Sequence, residues 1–379
     1  MQHDSVFDYL ALKGAEYRAI DIHRFPRIFK KISHKIQQPK IIHIIGTNGK
    51  GSTGRTIAYY LWQQGYKTLH FSSPHIFEVN ERIWIDGESI RDEKFQTLHE
   101  DAKTLLSSED IESLSYFEYI TLLMLIALKD VSYGVIEAGL GGEFDATNVL
   151  NKTLSVITPI GLDHQEFLGK DIQSITITKT NSIQNPAITA EQTFEVQKIV
   201  EEKIEKLYTI ETLMSQEEIA SIYKKFALNF PQFLIHNIVL GVTVIKYFES
   251  KIDLKYLKNI EFFGRFYPYK KNIIIDVGHN EQAANAIVEA LGKKKVNLIY
   301  NTYSDKDYKK ILTILKPVVI RLLIINIKND RILPTKVLEE GVSELGIEYE
   351  YFEICEDDQD YLVFGSFSVV EGFLRFDKR

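Results

Sequence analysis

Apolar and polar residues alternate along this chain at two periods, and the two interleave over most of its length. Short apolar runs with strand character fall at 40–45, 67–71, 133–137, 154–158 and 186–189, then at 272–277, 296–300 and 318–326. Between them, apolar positions recur at helical spacing over 53–64, 116–129, 171–183, 236–249, 280–291 and 307–316. Buried strands alternating with helices of this kind predict parallel sheets covered by helices. Residues 191–230 are rich in Glu, Lys and Gln, lack a clear core pattern, and read as a helical excursion on the first domain. A new strand-turn-helix series starts just beyond Ile260-Glu261-Phe262-Phe263-Gly264. A chain of 379 residues is too long for one compact core, so two domains are expected. The fold class is therefore α/β: a doubly wound N-terminal domain over 1–262 and a smaller, Rossmann-like C-terminal domain over 263–379.

Composition narrows the class of partner. Hydrophobic content of 45% and charged content of 26% are ordinary for a globular protein. A net charge of −7 gives no basic face for a nucleic acid. Lys293-Lys294-Lys295 sits where a helix ends, where cations complement the dipole. Cys355 is the sole cysteine, which excludes an intramolecular disulfide and fits a reducing cytosol. The start, MQHDSVFDYLALKG, lacks the pattern of a signal peptide, and the apolar run Ile120 to Leu128 is too short to span a bilayer. A cytoplasmic monomer without nucleic-acid or membrane partners is expected.

The chemistry centres on Gly46-Thr47-Asn48-Gly49-Lys50-Gly51-Ser52. It follows the run Ile41-Ile42-His43-Ile44-Ile45 and precedes a helix that ends near Gly65. Strand, glycine-rich turn, lysine, hydroxyl and helix form the context of a phosphate-binding loop. The glycines let backbone N–H groups approach phosphate oxygens, Lys50 adds a full positive charge, and Ser52 offers a hydroxyl to a metal. The spacing G-x-x-G-K-G-S is not the common Walker pattern.

Other polar residues cluster at predicted strand ends, the edge where doubly wound sheets bind ligands. Ser72-Ser73-Pro74-His75 follows the second strand and reads equally as a metal-ligating serine or a Ser-Pro turn. Glu137 ends the strand that runs into Ala138-Gly139-Leu140-Gly141-Gly142, where a buried carboxylate needs a partner such as Mg²⁺. His164, in Gly161-Leu162-Asp163-His164, lies past another strand as a second candidate ligand. Lys179 shares the inward face of a helix with Ile172 and Ile175 and needs a carboxylate, a phosphate or a charge-changing modification. Ser115-Tyr116-Phe117-Glu118 matches a capping box, which explains Ser115 and Glu118 without a ligand. Asp276-Val277-Gly278-His279-Asn280 offers a second anion-friendly strand-to-helix junction, and Arg265 stands at the domain boundary. One aspartate of Ser304-Asp305-Lys306-Asp307 is expected to cap a helix.

These segments resemble folylpolyglutamate synthase/dihydrofolate synthase, a branch of the Mur ligase superfamily. The matching stretches are GTNGKGST, SSPHIFEVNERIWIDGESI, SYFEYIT, EAGLGGEFDATNVL, ITPIGLDHQEFLG, GRF, IIIDVGHN, SDKD and VFGSFSVVEGFLR, in the family's order and over most of the chain. The resemblance implies an ATP-dependent amide ligase. ATP would phosphorylate a pteridine-bearing carboxylate, and the α-amino group of L-glutamate would attack the acyl phosphate. The product would be dihydrofolate from dihydropteroate, or a folate extended by one glutamate.

On matched positions, the resemblance implies that Asn48, Gly49, Lys50, Gly51 and Ser52 hold the ATP phosphates, with Ser73, Glu137 and His164 as Mg²⁺ ligands. Lys50, His164 and a carbamylated Lys179 would serve catalysis, and Asn237, Arg265, Asp276 and His279 would contact ATP. Ala19, Ile20 and Asp21, the turn Ser115, Tyr116, Phe117 and Glu118, and Glu143, Phe144 and Asp145 would line the pteridine pocket. The chain departs from the family pattern at Thr178-Lys179-Thr180-Asn181-Ser182, at Val277, at Leu234, and at Glu143, where many members carry arginine. Two other readings compete: a Mur-type ligase for a different carboxylate, and a nucleotide-binding regulator with a decayed site.

Overall fold

A computed structural model describes residues 5–14, 21–184 and 186–378. The chain divides into two compact units, Met1–Lys224 with His236–Ile260, and Lys225–Ile235 with Glu261–Arg379. Part of the stretch read as an excursion on the first domain is thus assigned to the second unit.

The first unit is built on an eight-stranded sheet. Its strands are β1 (Lys40–Ile45), β2 (Thr68–Phe71), β3 (Ile83–Ile85), β4 (Glu88–Ser89), β5 (Tyr133–Glu137), β6 (Leu154–Ile157), β7 (Ala187–Thr189) and β8 (Leu207–Thr209). Their order is β4-β3-β2-β5-β1-β6-β7-β8, parallel throughout except at β3 and β4. Strand β1 sits centrally because four isoleucines make it buried on both faces. Ile44 lies opposite Glu137 of β5, and Ile45 opposite Ile157 of β6. The carboxyl ends of β2, β5, β1 and β6 therefore stand side by side.

One face of this sheet is covered by the helix Tyr116–Ala127, in which every residue from Glu118 to Ala127 is buried. A helix apolar all round must lie inside a core, and this one joins Phe95, Leu98 and Ala102 of the helix Asp92–Leu105 in one apolar cluster. Ser115 and Glu118 close the expected capping box.

The second unit carries six strands: β9 (Tyr267–Lys270), β10 (Ile273–Ile275), β11 (Val296–Tyr300), β12 (Val319–Ile324), β13 (Tyr349–Tyr351) and β14 (Tyr361–Phe364). The order is β13-β12-β11-β14-β10-β9, with β9 alone antiparallel. Its core packs Ile287 and Leu291 of the helix Glu281–Leu291 with Ile311, Leu312 and Leu315 of the helix Tyr308–Leu315 onto β11, β12 and β14.

The strands and helices expected from the apolar pattern are present with ends shifted by a few residues. The pattern missed the β3–β4 extension, β8 inside the Glu/Lys-rich stretch, β9 and β13 at sheet edges, the buried four-residue β14, and whole helices such as Arg24–Ile32, Asp92–Leu105, Thr335–Glu344 and Phe367–Asp377. No helix among the described residues is long and apolar enough to cross a membrane.

Candidate functional site

Gly46 leaves β1 with φ 143°, and a Cβ there would fall 2.0 Å from Thr158 Oγ1, so only glycine fits. The helix Lys50–Gln63 then starts from Gly49 in the left-handed conformation, φ 85°. Its N-cap, Gly49, offers no side chain to cap the first turn. The amides of a first helical turn have no intrahelical acceptor and carry partial positive charge, so this turn is a cradle for an anion. The amides of Thr47 and Asn48 instead donate to Pro159 carbonyl, at 3.0 and 3.4 Å. Thr47 and Gly161 are tied reciprocally through Thr47 Oγ1, both bonds at 3.0 Å, which couples the loop to the Gly161–His164 turn.

Lys50 lies beside the anionic end of β5. Its Nζ is 3.5 Å from Glu137 Oε1, with the two side chains only 15% and 6% exposed. It also donates to Thr47 carbonyl at 3.3 Å. A charged hydrogen bond is normally about 2.7–2.9 Å, so the pair is close without being locked. Ser52 Oγ donates to Gly49 carbonyl at 3.2 Å and accepts from Asn237 Nδ2 at 2.8 Å. Asn237 is thereby brought to the phosphate loop, as the family resemblance implied and spacing alone did not.

Lys179 reaches the same loop from the helix Ile172–Thr180. Its ammonium is buried and donates to Gly46 carbonyl at 2.8 Å. Burial first and the Lys50 charge second lower its pKa to about 7, against the pull of Asp163 and Asp145. A large neutral fraction at neutral pH follows, and a neutral amine is the form that adds carbon dioxide.

Ser73 follows β2, Glu137 ends β5 and His164 follows β6, so the topology collects all three at one edge. His164 adopts φ 50°, an uncommon conformation for a residue with a Cβ, and its amide donates to Asp163 Oδ1 at 2.9 Å. Among the described residues no three His, Cys, Asp or Glu side chains form a metal cluster. A carboxylate, a hydroxyl and one imidazole suit a hard cation that takes its remaining oxygens from phosphate and water, and the donor set fits Mg²⁺ in that sense.

The residues expected to line a pteridine pocket fall into three groups. Ala19 and Ile20 lie outside the described residues, and Asp21 Oδ1 accepts from His23 amide at 3.0 Å. In the Ser115–Glu118 turn, Glu118 accepts from Ser115 amide at 2.7 Å and pairs with Arg24 Nη2 at 2.6 Å. Tyr116 carries the Arg82 guanidinium 5.4 Å above its ring, and the Phe117 ring lies against Gly139. In the third group Phe144 is exposed and Glu143 Oε2 accepts from Asn181 Nδ2 at 2.6 Å. Asp145 is buried: Oδ2 takes the Leu140 amide and Oδ1 the Thr147 amide and hydroxyl. Burial pushes its carboxyl up despite those bonds. Its visible role is to hold the turn after β5.

Arg82 and His75 escaped sequence reasoning. Arg82 Nε donates to His75 Nδ1 at 2.9 Å, and burial together with the Arg82 charge lowers the His75 pKa to about 3. Both lie inside the stretch SSPHIFEVNERI, whose local pattern gives no sign that they pair.

In the second unit Arg265, Asp276 and His279 do come together. Asp276 Oδ2 accepts from Phe266 amide and Oδ1 from Gly278 amide, both at 2.7 Å. Burial raises its pKa, opposed by Arg265. The Arg265 guanidinium lies 5.0 Å above the Phe367 ring, and His279 Nδ1 donates to Val277 carbonyl at 3.0 Å. Asp307 caps the helix Tyr308–Leu315, as one aspartate of its motif was expected to.

No family model matches the chain. It is 28% identical to a dihydrofolate synthase/folylpolyglutamate synthase of Buchnera aphidicola, over 88% of this chain and 87% of that protein. The crystal structure of Helicobacter pylori folylpolyglutamate synthetase superposes with a TM-score of 0.78 at 35% identity, covering 100% of this chain and 99% of that one. The bifunctional folylpolyglutamate synthase/dihydrofolate synthase of Yersinia pestis, solved with AMPPNP and a manganese ion, has the same fold, with a TM-score of 0.81 at 24% identity over 98% and 97% of the two chains. With a phosphate loop, a buried lysine and a carboxylate strand end on one sheet edge, and this likeness over the full length of a relative, the chain belongs to the folylpolyglutamate synthase/dihydrofolate synthase family.

Proposed function

We propose that this chain joins L-glutamate to a pteridine-bearing carboxylate at the expense of ATP, forming dihydrofolate from dihydropteroate, extending reduced folates, or both. The observation that carries the reading is the edge of β2, β5, β1 and β6, where the glycine-rich loop, Lys50, Glu137 and Lys179 converge. The reaction must bring an anionic carboxylate against a polyanionic nucleotide. The first-turn amides from Gly49 to Ser52 and the Lys50 ammonium offset that repulsion and stabilise charge on the transferring phosphoryl group.

Ser73, Glu137 and His164 would hold Mg²⁺. When bound, the ion supplies positive charge to the phosphate oxygens and orients them. Asn237 fixes the Ser52 hydroxyl, so it would act on the nucleotide through the loop. Arg265, Asp276 and His279 are nucleotide contacts in this reading, with Asp276 acting through the backbone it holds. Lys179 would act as its carbamate, an anion, for which its lowered pKa prepares the nitrogen. Tyr116, Phe117, Phe144 and Glu143 would face the pteridine. The enzyme would work as a cytoplasmic monomer on small molecules.

The test is phosphate release from ATP and L-glutamate, with dihydropteroate or tetrahydrofolate supplied separately. Release that depends on at least one pteridine is expected, and the pattern distinguishes one activity from two. Equal release with neither present would overturn the assignment.

A further inference from the structure

Lys152 stands just ahead of β6, in a position where a sequence reader expects a solvated loop lysine. It is buried instead. Its Nζ donates to Ser182 carbonyl at 2.5 Å and to Asn148 Oδ1. Neither acceptor is a carboxylate. Asp145 is the anion that favours the charged form, and burial dominates, lowering the Lys152 pKa to about 8. Burying an ammonium against neutral acceptors costs stability, where an apolar side chain would not. The acceptors therefore explain the lysine.

Both acceptors lead to residues of the proposed site. Asn148 Nδ2 passes the contact on to Glu143 carbonyl at 2.7 Å, while Glu143 amide donates to Thr178 carbonyl at 3.2 Å. Ser182 Oγ donates to Lys179 carbonyl at 2.8 Å. Lys179 in turn holds Gly46 carbonyl at the root of the phosphate loop. Ser182 lies two residues past the helix Ile172–Thr180, where a cation is favoured by the helix dipole. One buried ammonium thus spans the turn after β5 and the end of the lysine-bearing helix.

We propose that Lys152 is a positioning residue that sets the Glu143–Asp145 turn against Lys179, and so the pteridine side of the site against its phosphate side. The proposal rests on the ligase reading for its catalytic consequence, and on the hydrogen bonds alone for its structural one. Rigid support of this kind shows in how a site binds its substrate and in how fast its amides open.

The experiment compares wild type, Lys152→Met and Asn148→Ala as full chains. Without ligands, both variants should speed hydrogen exchange at the Glu143 amide by about tenfold or more, with β1 and β6 still protected. With ligands, the pteridine KM should rise about tenfold while the ATP KM stays within about twofold. Asn148→Ala removes the bridge without removing the buried cation, so the test survives if Lys152→Met folds poorly. Unchanged exchange at Glu143, uniform acceleration across the first unit, or an equal rise of both KM values would overturn the proposal. A wild type that consumes no pteridine would sink the ligase reading and leave the exchange comparison to be judged by itself.

Discussion

At the end of β1 the helix Lys50–Gln63 begins on a left-handed glycine, which has no side chain to cap it, whereas at the end of β10 the helix Glu281–Leu291 begins on Asn280, whose side chain accepts the Ala283 amide. The same contrast runs through the carboxylates beside them. Glu137 faces a lysine at 3.5 Å. Asp276 commits both oxygens to backbone amides and holds the Gly264–Phe266 turn, in which Phe266 adopts φ 43°. Two strand-to-helix junctions that look alike in sequence therefore use charge differently. The first sets a lysine beside its carboxylate behind a glycine cap, and the second uses a carboxylate to fix its own main chain. An acidic residue at a strand tip is informative about ligands only once its oxygens have been accounted for.

The contrast can be broken most forcefully at Lys50. Lys50→Ala should lower turnover by about a thousandfold, the scale of removing a group that stabilises transition-state charge, while the melting temperature stays near wild type. Near-normal turnover would remove the first junction from the catalytic reading. Asp276→Ala should do the reverse. It strands two amides, and with each costing about 1–3 kcal/mol, urea unfolding should report a loss of several kcal/mol in the second unit. A fully stable Asp276→Ala protein with specifically weakened ATP binding would mean the carboxylate serves the nucleotide directly.

Lys179 sharpens the first junction through its pH dependence. Its folded pKa of about 7 lies below the ordinary 10.5, so the unfolded chain binds the proton more tightly between those values. The handicap of the buried ammonium is fully present below pH 7 and disappears as pH rises towards 10.5. In buffer free of bicarbonate, the stability of wild type relative to Lys179→Met should improve across that window, by at most about 1.4 kcal/mol per pH unit. Adding isotope-labelled bicarbonate should give wild type a carbamate carbon signal that Lys179→Met lacks. A flat stability difference without that signal would rule out both a titrating amine and its carbamate.

Some of this was legible in the chain itself. Four isoleucines around His43 read as a short buried strand, and GTNGKGS after them reads as a glycine-rich turn into a helix. Ser115 and Glu118 announced a capping box, and the structure contains it. Elements that bury little, such as β4 and β13, left no apolar signature, and β8 hid in a polar stretch. Asn237 was tied to the loop by resemblance, since nothing in the helix Gln232–Phe248 marks it from within.

What the sequence determined by itself is local: which segments are strands and helices, and where a backbone must turn with glycine, because propensity and periodicity act over a few residues. The tertiary structure alone decided which polar atoms are used up internally. Asp145 and Asp276 fill their oxygens with amides, Arg82 finds His75, and Lys152 bridges Glu143 and Ser182 through partners 4 and 30 residues away. The long-range contacts, Lys179 to Gly46 carbonyl and Lys50 to Glu137, follow from the order β2-β5-β1-β6, which places strand ends from distant parts of the chain side by side.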